Sequence, residues 1–278
     1  MSVILGVDVG GSTTKIVALH KDPAKGFICM QVRAGDQLTS LFGAMGNLLF
    51  THGLTLNDVE KIVLTGVGAA RIDRDIHGIP TVKVPEFEAI GRGGLHLAEL
   101  SKAMVVSMGT GTAFVKAETT ADGGCIANHV GGSGMGGGTL IGLSSKILDT
   151  TDMEAILALA EQGDVTHVDL TIGDISTAEI PNLPAHATAA SFGRVRSTAT
   201  PGDFAIGLIQ MVIQNAGVLA AFACRTWELK DVVVTGTLAT TPQAQGILDE
   251  VAALYGLRFI IPPYAAFATA LGAAACAR

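Results

Sequence analysis

One pattern of apolar and polar positions occurs twice in this chain: an apolar run, a glycine turn and a second apolar run. The first copy covers residues 4–19 and turns at a glycine pair, and the second covers residues 103–116 and turns at Gly-Thr-Gly-Thr. Such β-branched runs predict buried strands, and glycine lets a tight turn approach another group closely. Two copies that open two halves predict a duplicated fold with a nucleotide held between the turns.

The remaining periodicity predicts an α/β protein. Further strands are expected at residues 26–33, 61–68, 231–234 and 257–261. Helices are expected at residues 37–50, 140–148, 205–225, 242–254 and 265–277, and another begins at Glu86, directly after a proline. No low-complexity linker interrupts the chain, so its 278 residues form one large α/β domain or two lobes.

Candidate chemistry lies on both sides of the first turn. Asp8 precedes it, and Lys15 follows it. Between them, Ser12, Thr13 and Thr14 offer hydroxyls and backbone N–H groups. Successive N–H groups in a tight turn bind anions, lysine adds a point charge, and a carboxylate holds a metal ion. The alternative is an ordinary β-hairpin with a polar turn. A glycine pair between an acid and a base exceeds what a turn needs, which favours a nucleotide phosphate site.

A glycine-rich stretch at residues 131–138 matches the spacing of the dinucleotide fingerprint at Gly132, Gly134 and Gly137. That fingerprint normally occupies the first βα turn of its domain, with an acidic residue on the following strand. This stretch lies in mid-chain, and the acids after it fall in a predicted helix or loop. We therefore interpret it as a phosphate-binding loop at a helix N-terminus rather than a dinucleotide site.

Composition narrows the class of partner and the compartment. The net charge of −7 without a basic run argues against nucleic acid. The apolar helix at residues 205–225, capped by Pro201-Gly202-Asp203, contains polar side chains, which favours a buried or interface helix over a membrane span. The four cysteines match no metal or redox spacing, and no signal peptide is visible. A reduced, cytoplasmic protein is expected.

An ordered set of motifs resembles the type II pantothenate kinase family of the actin/sugar-kinase/Hsp70 ATPase superfamily over nearly the whole chain. The motifs are Asp8-Val9-Gly10-Gly11, Glu86-Phe87-Glu88-Ala89, Gly109-Thr110-Gly111-Thr112, residues 130–138, Asp169-Leu170, Asp174-Ile175, Ser191-Phe192-Gly193 and Thr235-Gly236-Thr237. The resemblance implies a two-lobed, duplicated RNase H-like (actin-like ATPase) fold with the nucleotide in the interlobe cleft. The expected lobes are residues 1–101 and 102–278.

The resemblance also implies an activity, a kinase that moves the γ-phosphoryl group of ATP to the primary hydroxyl of pantothenate in the first step of coenzyme A biosynthesis. Glu86 matches the catalytic base, and Asp8 would order Mg²⁺. The residues expected to hold ATP are Gly10, Gly11, Ser12, Thr13, Lys15, Gly109, Thr110, Gly111, Gly134, Gly136, Gly137, Gly138, Thr235 and Gly236. The residues expected to contact the acceptor are Thr110, Thr112 and His129.

Two departures from the family pattern concern the acceptor more than ATP. His129 stands where the family carries an arginine, and an imidazole lacks the forked donors of a guanidinium. Ser191 stands where the family commonly has asparagine. Two alternatives therefore stay open: a kinase of another small hydroxyl compound, and a non-catalytic nucleotide sensor or ATPase-type activator. By analogy with the family, residues 205–225 are expected to form a homodimer surface.

Overall fold

Two five-stranded sheets with the same strand order form the framework. The computed structural model describes residues 2–33, 35–178, 180–181 and 183–277. The strands of the first sheet are β1 (Val3–Val9), β2 (Thr13–His20), β3 (Phe27–Arg33), β4 (Val59–Thr65) and β5 (Thr81–Lys83), in the order β3-β2-β1-β4-β5. The second sheet contains β6 (Lys102–Met108), β7 (Thr112–Thr119), β8 (Cys125–Ser133), β11 (Asp231–Thr235) and β12 (Arg258–Ile260). Its order, β8-β7-β6-β11-β12, repeats the first and confirms the duplication.

The helices cover both sheets. They are α1 (Gln37–Thr51), α2 (Glu86–Ala98), α3 (Gly137–Ile147), α4 (Met153–Ala160), α5 (Ile172–Ile175), α6 (Pro201–Thr226), α7 (Ala244–Tyr255) and α8 (Ala268–Cys276). Two short strands, β9 (Leu170–Thr171) and β10 (Thr188–Ala190), form a separate ribbon. The predicted strands and helices match this order, with shifts at their ends. The division at residues 101 and 102 stays a prediction.

Alternation along β1 decides what faces the candidate site. Val7 and Val9 enter the core beneath α1, whereas Ile4 and Gly6 face α8. Because successive side chains of a strand point to opposite faces, Asp8 lies on the α8 side together with Ile4 and Gly6. A one-residue shift in the register of β1 would place this carboxyl in the opposite core.

Helices α2 and α8 meet at backbone contact through two matching Ala-x-x-x-Gly segments. A Cβ atom on Gly93 would lie 1.8 Å from the carbonyl oxygen of Ala268, and one on Gly272 would lie 1.9 Å from that of Ala89. A Cβ on Gly6 would likewise lie 2.0 Å from the carbonyl oxygen of Ala270, so α8 also touches the first sheet. Only residues without a side chain permit such approach. This crossing fixes where α2 begins.

The long apolar helix α6 is a core element of the second lobe. By length and composition it could cross a membrane, but 61% of its apolar window is buried inside the fold. Ile209, Val212 and Ile213 are fully buried there. The apolar composition that suggested a homodimer surface is thus largely used within the chain itself, while Leu219 and Phe222 remain exposed.

The start of α6 is anchored by a buried carboxylate. Thr200, rather than the predicted Pro201-Gly202-Asp203, is the N-cap, and Asp203 accepts a hydrogen bond from its N–H at 2.8 Å. Asp203 also accepts from the Asp164 N–H at 2.7 Å and contacts His167 Nδ1 at 3.2 Å. Burial opposes ionisation of Asp203, but these hydrogen bonds outweigh it and hold its pKa below the usual range. This carboxylate is structural.

Two other acidic motif residues also serve the local fold. Asp169 accepts hydrogen bonds from the Phe192 N–H at 2.9 Å and the Thr188 hydroxyl at 3.3 Å. Asp174 accepts from both the N–H and the hydroxyl of Thr171 and caps α5. These contacts tie the β9–β10 ribbon to the turn that follows it.

The glycine crossing predicts a large loss of stability in Gly272→Ala. The added Cβ would lie 1.9 Å from a backbone oxygen, and relieving that clash separates α2 from α8. We expect a loss of about 2–3 kcal/mol, the upper part of the range for overpacking, measured by urea unfolding.

Gly43→Ala is the matched control, because Gly43 is an exposed residue inside α1 with no atom within 4 Å of its virtual Cβ. Helix propensity predicts a gain of about 0.5–1 kcal/mol for this change. Equal stability of the two variants would contradict the contact between α2 and α8.

Candidate functional site

The two predicted turns face each other across the lobes. Ser12 and Thr110 share a hydrogen bond between their hydroxyls at 3.1 Å. The first turn is closed by the Gly10 N–H donating to the Thr13 carbonyl at 3.1 Å, and the second by the Gly109 N–H donating to a carbonyl two residues on at 2.9 Å. The structure therefore brings together the two turns that the sequence analysis placed around a nucleotide.

Both turns carry unused backbone donors. Within the described residues, no acceptor is paired with the N–H groups of Gly11, Ser12, Thr110 or Gly111. Backbone N–H groups are almost always satisfied by protein, water or a ligand. Adjacent unpaired N–H groups in tight turns form concave sites for anions. Four such donors on two facing turns suit a chain of phosphate groups.

Asp8 is a desolvated carboxylate at the base of the first turn. In the strand register, the backbone of Asp8 lies opposite Lys15 of β2 and Thr65 of β4. Gly66 follows with φ +85°, and a Cβ there would lie 2.6 Å from Asp8 Oδ1. Burial raises the pKa of Asp8 to about 6, with Lys15 opposing the rise and the charge of Glu86 adding to it.

Asp8 also lacks a hydrogen-bond donor in the part of the chain that the structure describes. Lys15 is only 8% exposed and donates its Nζ to the Thr13 hydroxyl at 3.0 Å instead of forming an ion pair with Asp8. Burial lowers the pKa of Lys15, against the opposing charge of Asp8. Carboxylate oxygens are preferred ligands of Mg²⁺. A desolvated carboxylate without a hydrogen-bond donor, beside turns with unpaired N–H groups, fits that ion.

Glu86 is the first residue of α2 and follows Pro85. An acid in the first turn is stabilised by the helix dipole. The residue is exposed, yet surrounding protein raises the pKa of its carboxyl by desolvation. Its charge is felt at Asp8. Asp8 lies near the carboxyl end of β1 and Glu86 at the start of α2, close enough for their charges to interact.

The glycine-rich stretch is only partly the loop that the sequence predicted. Residues up to Ser133 extend β8, and α3 begins at Gly137, so the loop consists of Gly134, Met135 and Gly136. The prediction of a loop across residues 131–138 was wrong because the strand continues its pairing with β7 through Gly132 and Ser133.

The glycines at the start of α3 pack against the second turn. The N–H groups of Gly137 and Gly138 donate to the carbonyls of Gly109 and Thr110 at 2.8 and 2.9 Å. A Cβ on Gly136 would lie 2.6 Å from the carbonyl oxygen of Thr110. These donors are occupied within the protein, contrary to a direct phosphate cradle at Gly137 and Gly138. By these hydrogen bonds, the start of α3 holds the carbonyl groups of the second turn.

Other predicted site residues are also committed to the fold. Thr112 is buried and donates its hydroxyl to the Met135 carbonyl at 2.8 Å. Thr235 is fully buried and donates to the Val106 carbonyl at 3.4 Å, so its side chain does not reach a nucleoside. Gly236 has φ +92°, and a Cβ there would lie 2.4 Å from the carbonyl oxygen of Met108. This glycine lies directly beside the second turn.

His129 lies on an edge strand rather than in a loop. Val115 pairs with His129 and Phe114 with Gly131, so Val130 is the extra residue of a β-bulge. Bulges redirect side chains and are frequent next to active sites. The His129 ring stacks on Phe87, with centroids 4.0 Å apart and planes 12° apart.

Sequence reasoning missed two residues of this site. Gly66 makes room for the Asp8 carboxyl, and the glycine that ends an apolar strand was its available signal. Phe87 contacts His129, which lies 42 positions away along the chain. No local sequence pattern signals that contact.

The chain is similar in sequence to proteins of one known family. A family model described as Fumble matches residues 96–255, more than half of the chain. The type II pantothenate kinase of Staphylococcus aureus strain USA300 is 27% identical, with 97% of each chain covered, and that of strain bovine RF122 is 26% identical with the same coverage.

Solved structures show the same fold. An activator of 2-hydroxyisocaproyl-CoA dehydratase from Clostridium difficile with bound ADPNP superposes with a TM-score of 0.67 at 16% identity, covering 98% of this chain and 93% of that one. Component A of the Acidaminococcus fermentans (R)-2-hydroxyglutaryl-CoA dehydratase gives 0.63 at 18% identity, covering 99% and 97%. The chain therefore has the actin-like ATPase fold and belongs to the Fumble family, the family of the type II pantothenate kinases.

Proposed function

We propose that this chain is a kinase that transfers the γ-phosphoryl group of ATP to the primary hydroxyl of pantothenate. The observation that carries the proposal is the meeting of two facing turns that have unpaired N–H groups. Beside it, the carboxyls of Asp8 and Glu86 both have raised pKa values, and the charge of Glu86 acts on Asp8. Relatives matched over nearly their full length are named type II pantothenate kinases, which supports pantothenate as the acceptor.

Glu86 is assigned the general base. Its carboxyl has no hydrogen-bond partner among the described residues, keeps access to the cleft, and has a pKa raised toward the working range of a base. In the reaction it would take the proton of the acceptor hydroxyl as the oxygen–phosphorus bond forms and ADP leaves. Phosphoryl transfer requires little covalent chemistry from the protein, so most of the rate comes from position and charge.

The phosphate groups are assigned to the turns. The N–H groups of Gly11 and Ser12 would hold one side of the phosphate chain, with Lys15 beneath them, and those of Thr110 and Gly111 the other. Asp8 would hold Mg²⁺, which offsets phosphate charge when it is bound. Gly136 acts by packing in this proposal, since a Cβ there would meet the backbone of the second turn. A Cβ on Gly134 would meet no atom within 4 Å, so Gly134 keeps its assignment to ATP.

The setting of the enzyme follows from the family and the charge. We place it in the cytoplasm as a homodimer that acts on a small molecule, without nucleic acid or membrane as a partner. The exposed Leu219 and Phe222 of α6 are the described residues that support a dimer surface there.

The proposal predicts acceptor-stimulated turnover. Purified protein with ATP and Mg²⁺ should release ADP faster when pantothenate is added, measured by a coupled ADP assay. Nucleotide binding without stimulation by pantothenate would exclude this acceptor. Screening other small hydroxyl compounds would then separate a different kinase from a nucleotide sensor, since a sensor shows no acceptor-stimulated release.

The assignment of Glu86 predicts that Glu86→Gln lowers kcat by roughly 100-fold or more, because the base is lost while the turns stay intact. ATP binding, measured by titration calorimetry, should be retained. Glu88→Gln is the control within the same helix turn. Glu88 is half-buried and its carboxylate contacts the Cys276 thiol, so this variant should stay within about twofold of wild type. An unchanged kcat in Glu86→Gln would remove this residue from the mechanism.

The raised pKa of Asp8 predicts an acid limit near pH 6 for ATP·Mg²⁺ binding. The ionised carboxylate is the form that holds the cation, so affinity should rise as pH increases through about 6, well above the ordinary aspartate range. Since the charge of Glu86 contributes to this rise, Glu86→Gln should shift the limit to lower pH. Calorimetric titration from pH 5 to 8 follows the affinity of both proteins, and the loss at pH 5 should be smaller in Glu86→Gln. A wild-type affinity that stays constant over this range would contradict the assignment.

A further inference from the structure

The first turn of α2 carries the proposed base but has few contacts of its own. Its N-cap, Pro85, makes no side-chain hydrogen bond to the helix. The close backbone packing of α2 begins further along, where Ala89 meets α8 and Gly91 meets β7 and β8. Within the first turn, Glu88 has a long 3.7 Å contact from the thiol of Cys276. Helix ends without caps are the parts that fray.

Phe87 anchors the first turn of α2, for which the N-cap Pro85 makes no side-chain hydrogen bond. It follows Glu86 directly, and its ring lies flat on His129 at 4.0 Å. The next contact between the same two elements is Gly91 with Ala127, whose Cβ is 2.9 Å from the virtual Cβ of Gly91. Positions four apart on a helix and two apart on a strand share a face, so α2 lies along β8 as one continuous contact.

A bulge at Val130 directly follows this stack. A regular strand would keep strict alternation from Ala127 through His129 into the glycines, but the extra residue breaks the alternation after His129. Ordinary alternation places the His129 ring on the same face of β8 as Ala127, where it meets Phe87. A Cβ atom built on Gly132 would lie 3.9 Å from His129 Nε2. Because residue 132 is glycine, it has no side chain beside the imidazole.

We infer that His129, by stacking on Phe87, is a positioning residue that holds the Glu86 carboxyl at the cleft. This inference rests on the proposed function, since it assigns His129 a role in that transfer. The role depends on the flat ring of His129 rather than on its nitrogens. It also links the second lobe to the base: β8 carries the ring, and α2 carries the carboxyl.

Three substitutions distinguish the effect of ring stacking from the effect of the imidazole nitrogens. His129→Ala and Phe87→Leu remove the stack, whereas His129→Phe keeps a flat ring without nitrogens. Phe42→Leu is the matched control, because Phe42 is 43% exposed and Phe87 is 37% exposed, and Phe42 also contacts a histidine, His77, at 5.6 Å. That contact lies outside the surface between α2 and β8.

The measurements are kcat and KM for ATP and pantothenate by ADP release. His129→Ala and Phe87→Leu should lower kcat by roughly 10-fold, the scale of a misplaced reacting group, with KM for ATP within about twofold of wild type. His129→Phe should recover several-fold of the kcat lost in His129→Ala, whatever its KM for pantothenate. Phe42→Leu should match wild type.

Proton NMR supplies a readout that does not depend on turnover. The Phe87 ring should move the imidazole C–H signals of His129 upfield, and Phe87→Leu should return them to the range of an unstacked histidine. Unshifted signals in wild type would overturn the inference.

The kinetic outcomes distinguish the two proposals. A kcat in His129→Phe as low as in His129→Ala shows that the nitrogens act directly, which overturns the positioning role and leaves the kinase assignment intact. An unchanged kcat in both His129→Ala and Phe87→Leu also overturns the positioning role and leaves the kinase assignment intact. A wild-type chain without pantothenate-stimulated ADP release contradicts the proposed function itself, and the positioning role falls with it.

Discussion

The structure depends on a contact between two helices that touch through their backbones, without side chains between them. Gly93 of α2 meets Ala268, and Gly272 of α8 meets Ala89, so each helix contributes one alanine and one glycine to a matched crossing. The two sheets share one strand order, and each is followed by one of these helices. The crossing joins equivalent elements of the two halves, and it sets the position of the helix end that carries Glu86.

The duplication is symmetric in backbone and asymmetric in charge. In the first half, Asp8 pairs with Thr65 on the neighbouring strand, and a positive-φ glycine follows; in the second half, Ser107 pairs with Thr235, and Gly236 follows. Both halves therefore build the same turn on the same support. Only the first half places a carboxylate beneath it. One acidic turn and one neutral turn suit a single phosphate chain with a single cation, since two facing carboxylates would repel that chain.

Sequence patterns predicted most of the fold because the signals are local. Apolar runs and glycine turns identified both hairpins, and the repeated order identified the duplication. The patterns also selected Asp8, whose placement follows from strand alternation. Glu86 was selected by the resemblance to the kinase family, and only its position at a helix start follows from the preceding proline. They did not reveal that Thr235 is buried, that β8 extends through Ser133, or that Phe87 reaches His129. Each of these depends on contacts between residues far apart in the chain, which no local pattern encodes.

The glycine-rich stretch illustrates why a motif and a ligand contact are different things. Glycine is required wherever backbone approaches backbone or a phosphate, and the sequence pattern is the same in both cases. Here Gly136 lets the start of α3 reach the second turn, and the N–H groups of Gly137 and Gly138 use the carbonyls of that turn. A peptide group whose carbonyl is held on one side presents its N–H on the other. The packing of Gly136, Gly137 and Gly138 thus leaves the N–H donors of Thr110 and Gly111 available to a ligand. In the proposed function, these three glycines therefore contribute to phosphate binding only indirectly.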